Sequence, residues 1–149
     1  MQLTQHTDFG LRLLIVLARN GDAPISLSAF AADQSLSYNH VAKVAQALGH
    51  AGFIVSRRGR NGGVCLARPA TEISVGEIVR ALEPNLRLAA CANCALRSDC
   101  GTSSVLARAL AAFLAVLDET TLAVAAQPGK PMAAWQLPAS DRSGRRETE

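Results

Sequence analysis

Three cysteines stand within ten residues in the run Cys91-Ala-Asn-Cys94-Ala-Leu-Arg-Ser-Asp-Cys100, separated by two and then five residues. Thiolates this close in one loop can converge on a single metal centre. They could bind zinc, with one more ligand completing a tetrahedron. They could instead hold an iron–sulfur cluster, which is normally cysteine-ligated but accepts substitutes, or form a reversible thiol switch. Buried small hydrophobes are a poor account of three cysteines so near one another, and spacing alone does not separate zinc from iron–sulfur. The fourth cysteine, Cys65, lies between Val64 and Leu66, where packing explains it better.

A second chemistry is written in the charges. The net charge is only +3, but residues 34–71 contain no Asp or Glu and carry Lys43, Arg57, Arg58, Arg60 and Arg68. Such a local positive field suits a surface that meets phosphates.

The elements that must position these groups follow from periodicity. A first helix is predicted from about Thr4 to Arg19, stopped by Asn20-Gly21. A short second helix follows Ser26, and a third runs from Ser37 to about Ala51. Its apolar positions Val41, Val44, Ala45 and Leu48 recur at helical spacing, which leaves Tyr38, Asn39, His40, Lys43 and Gln46 on the other face. Two β-prone runs, Phe53-Ile54-Val55 and Val64-Cys65-Leu66, flank the turn Arg57-Arg58-Gly59-Arg60-Asn61-Gly62-Gly63. Helix, helix, turn, helix and basic hairpin is the order of a winged helix-turn-helix. Asn39 and His40 are then placed for base edges, and Lys43 for a guanine or a phosphate. Ser37 and Tyr38 open the same helix, and Arg57, Arg58, Arg60 and Asn61 make the wing. His50, near the apolar end of the helix, reads as structural.

A fourth helix fits Ser74 to Glu83, ended by Pro84. From Thr102 to Ala126 a long helix carries Leu106, Leu110, Phe113 and Leu117 as a narrow stripe suited to pairing with a second subunit. A two-fold dimer would match a palindromic operator. The expected organisation is a mainly α chain: residues 1–84 a DNA-binding winged helix-turn-helix domain, 85–101 the cysteine loop, 102–126 a dimerisation helix, and 127–149 a proline-containing disordered tail with Trp135.

Composition narrows the classes further. Apolar residues make up 49% of the chain and aromatics only 4%, a balance that favours packed helices over a β-sandwich. No apolar run of membrane-spanning length and no secretory signal is read, so the expectation is a cytoplasmic protein with reduced thiols and no membrane partner. An enzyme, such as an iron–sulfur electron carrier or thiol oxidoreductase, is not supported. There is no glycine-rich nucleotide loop after a strand and no metalloprotease helix motif, and the Cys91–Cys94 pair lacks a βαβ setting.

Several motifs resemble one family. They are the opening Met1-Gln-Leu-Thr-Gln-His-Thr-Asp8-Phe-Gly-Leu-Arg12, then Ser37-Tyr-Asn-His-Val-Ala-Lys43, Ala51-Gly-Phe and Arg58-Gly-Arg-Asn-Gly-Gly63. Val75-Gly-Glu-Ile-Val-Arg-Ala-Leu-Glu-Pro84 and Phe113-Leu-Ala-Val-Leu-Asp118 continue the match. Together they resemble the NsrR-like, nitric-oxide-sensing branch of the iron–sulfur winged-helix regulator family, whose relatives include IscR and RirA. The resemblance implies a homodimeric repressor with one cluster per subunit, held by Cys91, Cys94 and Cys100 and by Asp8 of the partner subunit. Read without the resemblance, Asp8 is an acid in the first turns of a helix, where the helix dipole favours it. IscR-like members use a histidine three residues after the last cysteine, where this chain has Ser103, and RirA-like members carry Asn at position 8. The gap between Cys91 and Cys94 is shorter than the NsrR-like pattern. A [4Fe-4S] cluster is favoured over [2Fe-2S], with nitric oxide as the effector that releases operator DNA. An iron- or redox-responsive regulator of the same fold, and a constitutive zinc-stabilised DNA-binding protein, are the alternatives.

Overall fold

The computed structural model describes residues 2–59, 62–96 and 99–129. Its element order is α1 (Gln5–Arg19), α2 (Leu27–Asp33), α3 (Tyr38–His50), β1 (Ile54–Arg57), β2 (Gly63–Leu66), α4 (Val75–Leu82), α5 (Gly101–Asp118) and α6 (Leu122–Ala125). Mainly helical with a two-stranded wing, it matches the fold class read from the sequence. The expected disordered tail with Trp135 falls largely on residues 130–149, outside the described residues.

The first two helices each begin where a hydroxyl stands in for a missing backbone partner. Thr4 Oγ1 accepts the Thr7 N–H, and Ser26 caps α2. At α4, Ser74 and Glu77 form a reciprocal capping box, with N–O distances of 3.1 and 2.9 Å. The chain leaves α1 through Gly21, at φ +62°, which glycine adopts without strain.

Thr7, Gly10, Leu13, Leu14 and Leu17 form the buried stripe of α1. Leu13, Leu14 and Leu17 pack with Phe30, Val41, Val44, Leu48, Phe53, Ile54, Ile73, Ile78, Leu82 and Leu122 in one core. Full burial of such side chains contributes roughly 1.5–3 kcal/mol each. Gly10 is glycine because a Cβ there would strike Leu82 Cδ1 of α4.

The wing is antiparallel, with Ile54 opposite Leu66 and Arg57 opposite Gly63. Val64 also exchanges two backbone hydrogen bonds of 2.9 Å with Ile25, which fastens the wing to the segment before α2. Gly63 permits that approach, since a Cβ would meet the Ile25 carbonyl.

The C-terminal helix departs from the expectation of one rod to Ala126. It ends at Asp118, turns through Glu119 and Thr120, and resumes as the short α6. Thr121 caps α6 by accepting the Val124 N–H, a local bond that competes with helix continuation. The turn also carries Leu122 into the core, where it is fully buried, and Arg19 Nε pins the end by donating to the Ala126 carbonyl at 2.7 Å. Tertiary packing overrides a sequence that is helical by propensity. No residue of α5 itself is buried in its own chain, and by length and composition it is apolar enough to cross a membrane, which the sequence reading did not register.

Candidate functional site

The reading head is built on α3. Val41, Val44, Ala45 and Leu48 seat one face in the core, so Tyr38, Asn39, His40 and Lys43 lie exposed on the other. Ser37 is the N-cap residue, but its side chain makes no capping hydrogen bond, unlike Thr4, Ser26 and Ser74. The first turn of α3 therefore presents backbone N–H groups, a hydroxyl and amide and imidazole side chains together, which is the chemistry of phosphate and base-edge recognition.

On the wing, Arg57 and Arg58 are exposed, and Arg57 Nη1 donates to the Asp22 carbonyl at 3.1 Å. Arg60 and Asn61 lie outside the described residues. Arg68, counted with the basic run in the sequence, is already engaged. It stands over the Phe53 ring at 5.6 Å and pairs with Glu77 at 3.0 Å, so an acid from α4 partly offsets its charge.

Two clefts add residues that sequence reasoning missed. A groove of about 290 Å³ between the starts of α2 and α3 and the wing is lined by Ser26, Ser28, Tyr38, Ser56 and Arg57. A second, of about 170 Å³, places His6 of α1 beside His40 and Lys43. Serine is too common to single out from sequence, and His6 reaches the head only through the packing of α1 on α3.

The cysteine loop leaves α4 at Glu83. Cys91 to Asn93 form a single 3-10 turn, closed by the Cys94 N–H donating to the Cys91 carbonyl at 3.3 Å. Cys100 is the N-cap residue of α5, and its carbonyl accepts from the Ser103 hydroxyl at 2.8 Å. The backbone N–H groups of Ser103 and then Thr102 hold the Cys100 thiol below its ordinary value, against an opposing effect of burial. All four cysteines are free: Cys94 is exposed, Cys91 and Cys100 are half-buried, and Cys65 is 2% exposed within the core, as its packing reading requires. Cys91 lines an apolar groove of about 320 Å³ with Leu86, Leu88, Leu106 and Leu110 between the loop and α5.

Three free thiols in one loop suit a soft, thiolate-ligated metal centre. Among the described residues of a single chain, however, no three His, Cys, Asp or Glu converge as a metal-holding group. Asp8 stands in the first turn of α1, where its carboxylate pairs with Arg12 at 2.7 Å and is 45% exposed. It therefore faces solvent, within reach of another molecule.

Comparison with known proteins agrees with this arrangement. The profile of the Rrf2 family, described as iron-dependent transcriptional regulators, matches residues 3–128. The HTH-type transcriptional regulator NsrR of Shouchella clausii is 44% identical over 128 residues, covering 82% of this chain and 86% of the relative. Its namesake from Bacillus licheniformis is 41% identical, covering 82% and 90%. Among solved structures, CymR, the global cysteine regulator of B. subtilis, superposes with a TM-score of 0.72 at 28% identity, over 85% of this chain and 96% of that one. T. potens IscR gives 0.70 at 30% identity, over 87% and 93%. These relatives are transcriptional regulators rather than enzymes, and the chain belongs to the Rrf2 family of winged-helix transcriptional regulators.

Proposed function

We propose that this regulator is a cytoplasmic, homodimeric repressor that senses nitric oxide through an iron–sulfur cluster. The observation that carries the reading is the joining of three free thiols to the start of α5, an apolar helix with no buried residue of its own, beneath a winged-helix head. Cys91, Cys94 and Cys100, with Asp8 of the partner subunit, would hold the cluster, [4Fe-4S] in preference to [2Fe-2S]. When bound, it supplies iron open to attack by nitric oxide.

The chain's own residues do the rest. Leu106, Leu110, Phe113 and Leu117 along α5 form the seam with the second subunit, which accounts for the helix's apolar surface without a membrane. Asn39, His40 and Lys43 read one half of a palindromic operator in double-stranded DNA, while Ser37, Tyr38, Arg57 and Arg58, with Arg60 and Asn61, hold the backbone. Residues Cys91 to Cys100 tie one subunit to α1 of the other, which sets the separation of the two heads. Release of that tie lowers operator affinity. The reading requires only that the two dimer states bind DNA differently, by a coupling of about 1–3 kcal/mol.

Nitric oxide titration of the anaerobically purified protein tests this, with the absorption spectrum and operator binding followed together. Loss of binding in step with loss of the cluster absorption is expected. A colourless protein that stays colourless after reconstitution with iron and sulfide yet binds its operator would overturn it, as would zinc in place of iron on metal analysis. The family's description as iron-dependent favours one second reading, in which iron supply or redox state is the signal. Operator binding that follows iron depletion but ignores nitric oxide would select it.

A further inference from the structure

Two runs of sequence, 75–82 and 113–118, contribute no residue to the reading head or the cysteine loop, yet they meet in the fold. Arg80 of the first and Asp118 of the second form a two-armed ion pair, with Nη1–Oδ1 and Nη2–Oδ2 both at 2.6 Å. Gly76, one turn before Arg80, is buried, and a Cβ there would collide with Asp118 Oδ1. Glycine at this position leaves room for the carboxylate. Backbone bonds reinforce the junction. The Val75 N–H donates to the Thr120 carbonyl at 2.9 Å, and the Leu122 N–H donates to the Ile73 carbonyl at 2.7 Å.

The pair adds little to stability where it stands. Its side chains are 43% and 42% exposed, and solvent screens exposed ion pairs heavily. Its geometry does more. A fork-to-carboxylate pair fixes direction as well as distance, so it resists rotation of one helix on the other. The helices it joins are informative. Asp118 is the last residue of α5, whose first turn begins at Cys100, and no residue of α5 is buried against its own chain. Arg80 belongs to α4, which packs on both α1 and α3. The junction therefore lies between the helix that starts at the thiols and the helix that supports the reading head.

We propose that the Arg80–Asp118 pair is the joint that passes the state of the cysteine loop from α5 to the reading head. It acts as a positioning pair that sets operator affinity, and it touches neither cluster nor DNA. The inference rests on the regulatory reading above, and the two fail in different measurements.

The full-length protein is loaded with its cluster, and its affinity is measured for a duplex that the wild type selects from a random pool. The measurement is repeated after nitric oxide treatment, and the ratio of the two affinities is the readout. Arg80→Gln, Asp118→Asn and Arg80→Lys weaken the pair, the last keeping the charge but not the fork. Gly76→Ala displaces Asp118 with both charges kept. Each is expected to retain the cluster spectrum and thermal unfolding of the wild type while the ratio falls about fivefold or more. The double variant Arg80→Gln/Asp118→Asn should be no worse than either single one, and the exchange Arg80→Asp/Asp118→Arg should recover most of the ratio. A ratio that stays at the wild-type value in all of them overturns the joint and leaves a simple staple. Loss of the cluster spectrum in the variants also overturns it, because the pair would then support the loop itself. A wild-type ratio of one overturns the regulatory reading and the joint with it.

Discussion

Glu83 Oε2 accepts a hydrogen bond from the Thr7 hydroxyl at 2.7 Å, and two more from the Thr4 N–H and hydroxyl at 3.0 and 3.1 Å. One carboxylate thus ties the last residue before Pro84, where the chain turns toward the cysteine loop, to the opening of the helix that carries Asp8. Thr7 is fully buried, and without Glu83 its hydroxyl keeps only the Thr4 hydroxyl, at 3.1 Å, as a partner. Glu83→Ala should lower stability by about 2 kcal/mol. A shift of the urea midpoint without a change of slope would register it.

The same carboxylate makes a pH prediction. Burial alone would raise the Glu83 pKa, but hydrogen bonds from the Thr4 N–H and the Thr7 and Thr4 hydroxyls, with the nearby His6, outweigh it and leave the value below the ordinary 4.5. A carboxylate whose folded pKa is depressed stabilises the fold above its unfolded pKa, and that contribution fades as pH falls through the folded value. The stability gap between wild type and Glu83→Gln should therefore be full at pH 6–7, an ordinary buffer range well above that value, and narrow in acid. Urea unfolding across pH would read it, and a gap that widens in acid would refute the assignment.

Asp8→Ala separates ligation from folding. The Asp8–Arg12 pair is 45% and 47% exposed, and such pairs contribute at most about 1 kcal/mol. Apo-protein carrying the substitution should melt within a few degrees of the wild type. Its reconstituted form should show a weakened or altered cluster spectrum. An unchanged spectrum would remove Asp8 from the ligand set.

Leu110→Glu probes the seam. Leu110 is only half-buried in its own chain, and no α5 residue is fully buried there, so the charge costs the monomer little. Placed in an apolar helix pair, the same charge would be desolvated. Light scattering should show a monomer while far-ultraviolet circular dichroism stays native. A persistent dimer would move the seam elsewhere.

Much of this could be read from the sequence because the signals were local. The caps Ser26 and Ser74, the buried stripe of α3 and the glycine-bearing wing turn each act within a few residues. The break after Asp118 has a local part, the Thr121 cap, but what fixes it is the burial of Leu122 against elements more than a hundred residues earlier in part, which no local signal carries. Arg68 was counted only as a cation of the basic run, and its engagement was not readable for a related reason: its partners Phe53 and Glu77 are set by the fold, not by neighbours in sequence. The three thiols were legible as a set from their spacing, while Asp8, far earlier in the chain, has no spacing signal that joins it to them.

The reading head makes the last prediction, because Asn39 and Lys43 are both exposed on α3 and differ in chemistry. An amide can pair with the edge of a base, so Asn39→Ala should cost about 1–3 kcal/mol against the preferred operator and relax the preference at one position. Lys43, if it meets a phosphate, should weaken all sequences alike when changed to Ala. It should also flatten the dependence of log K on log salt by about 0.9 for each phosphate lost, or twice that for a symmetric dimer. Binding isotherms over a salt series, run on the operator and on a scrambled duplex, distinguish the two. If Lys43→Ala changes discrimination between the duplexes but not the slope, the lysine reads a guanine and the backbone contacts belong to the serine-lined groove beside Arg57.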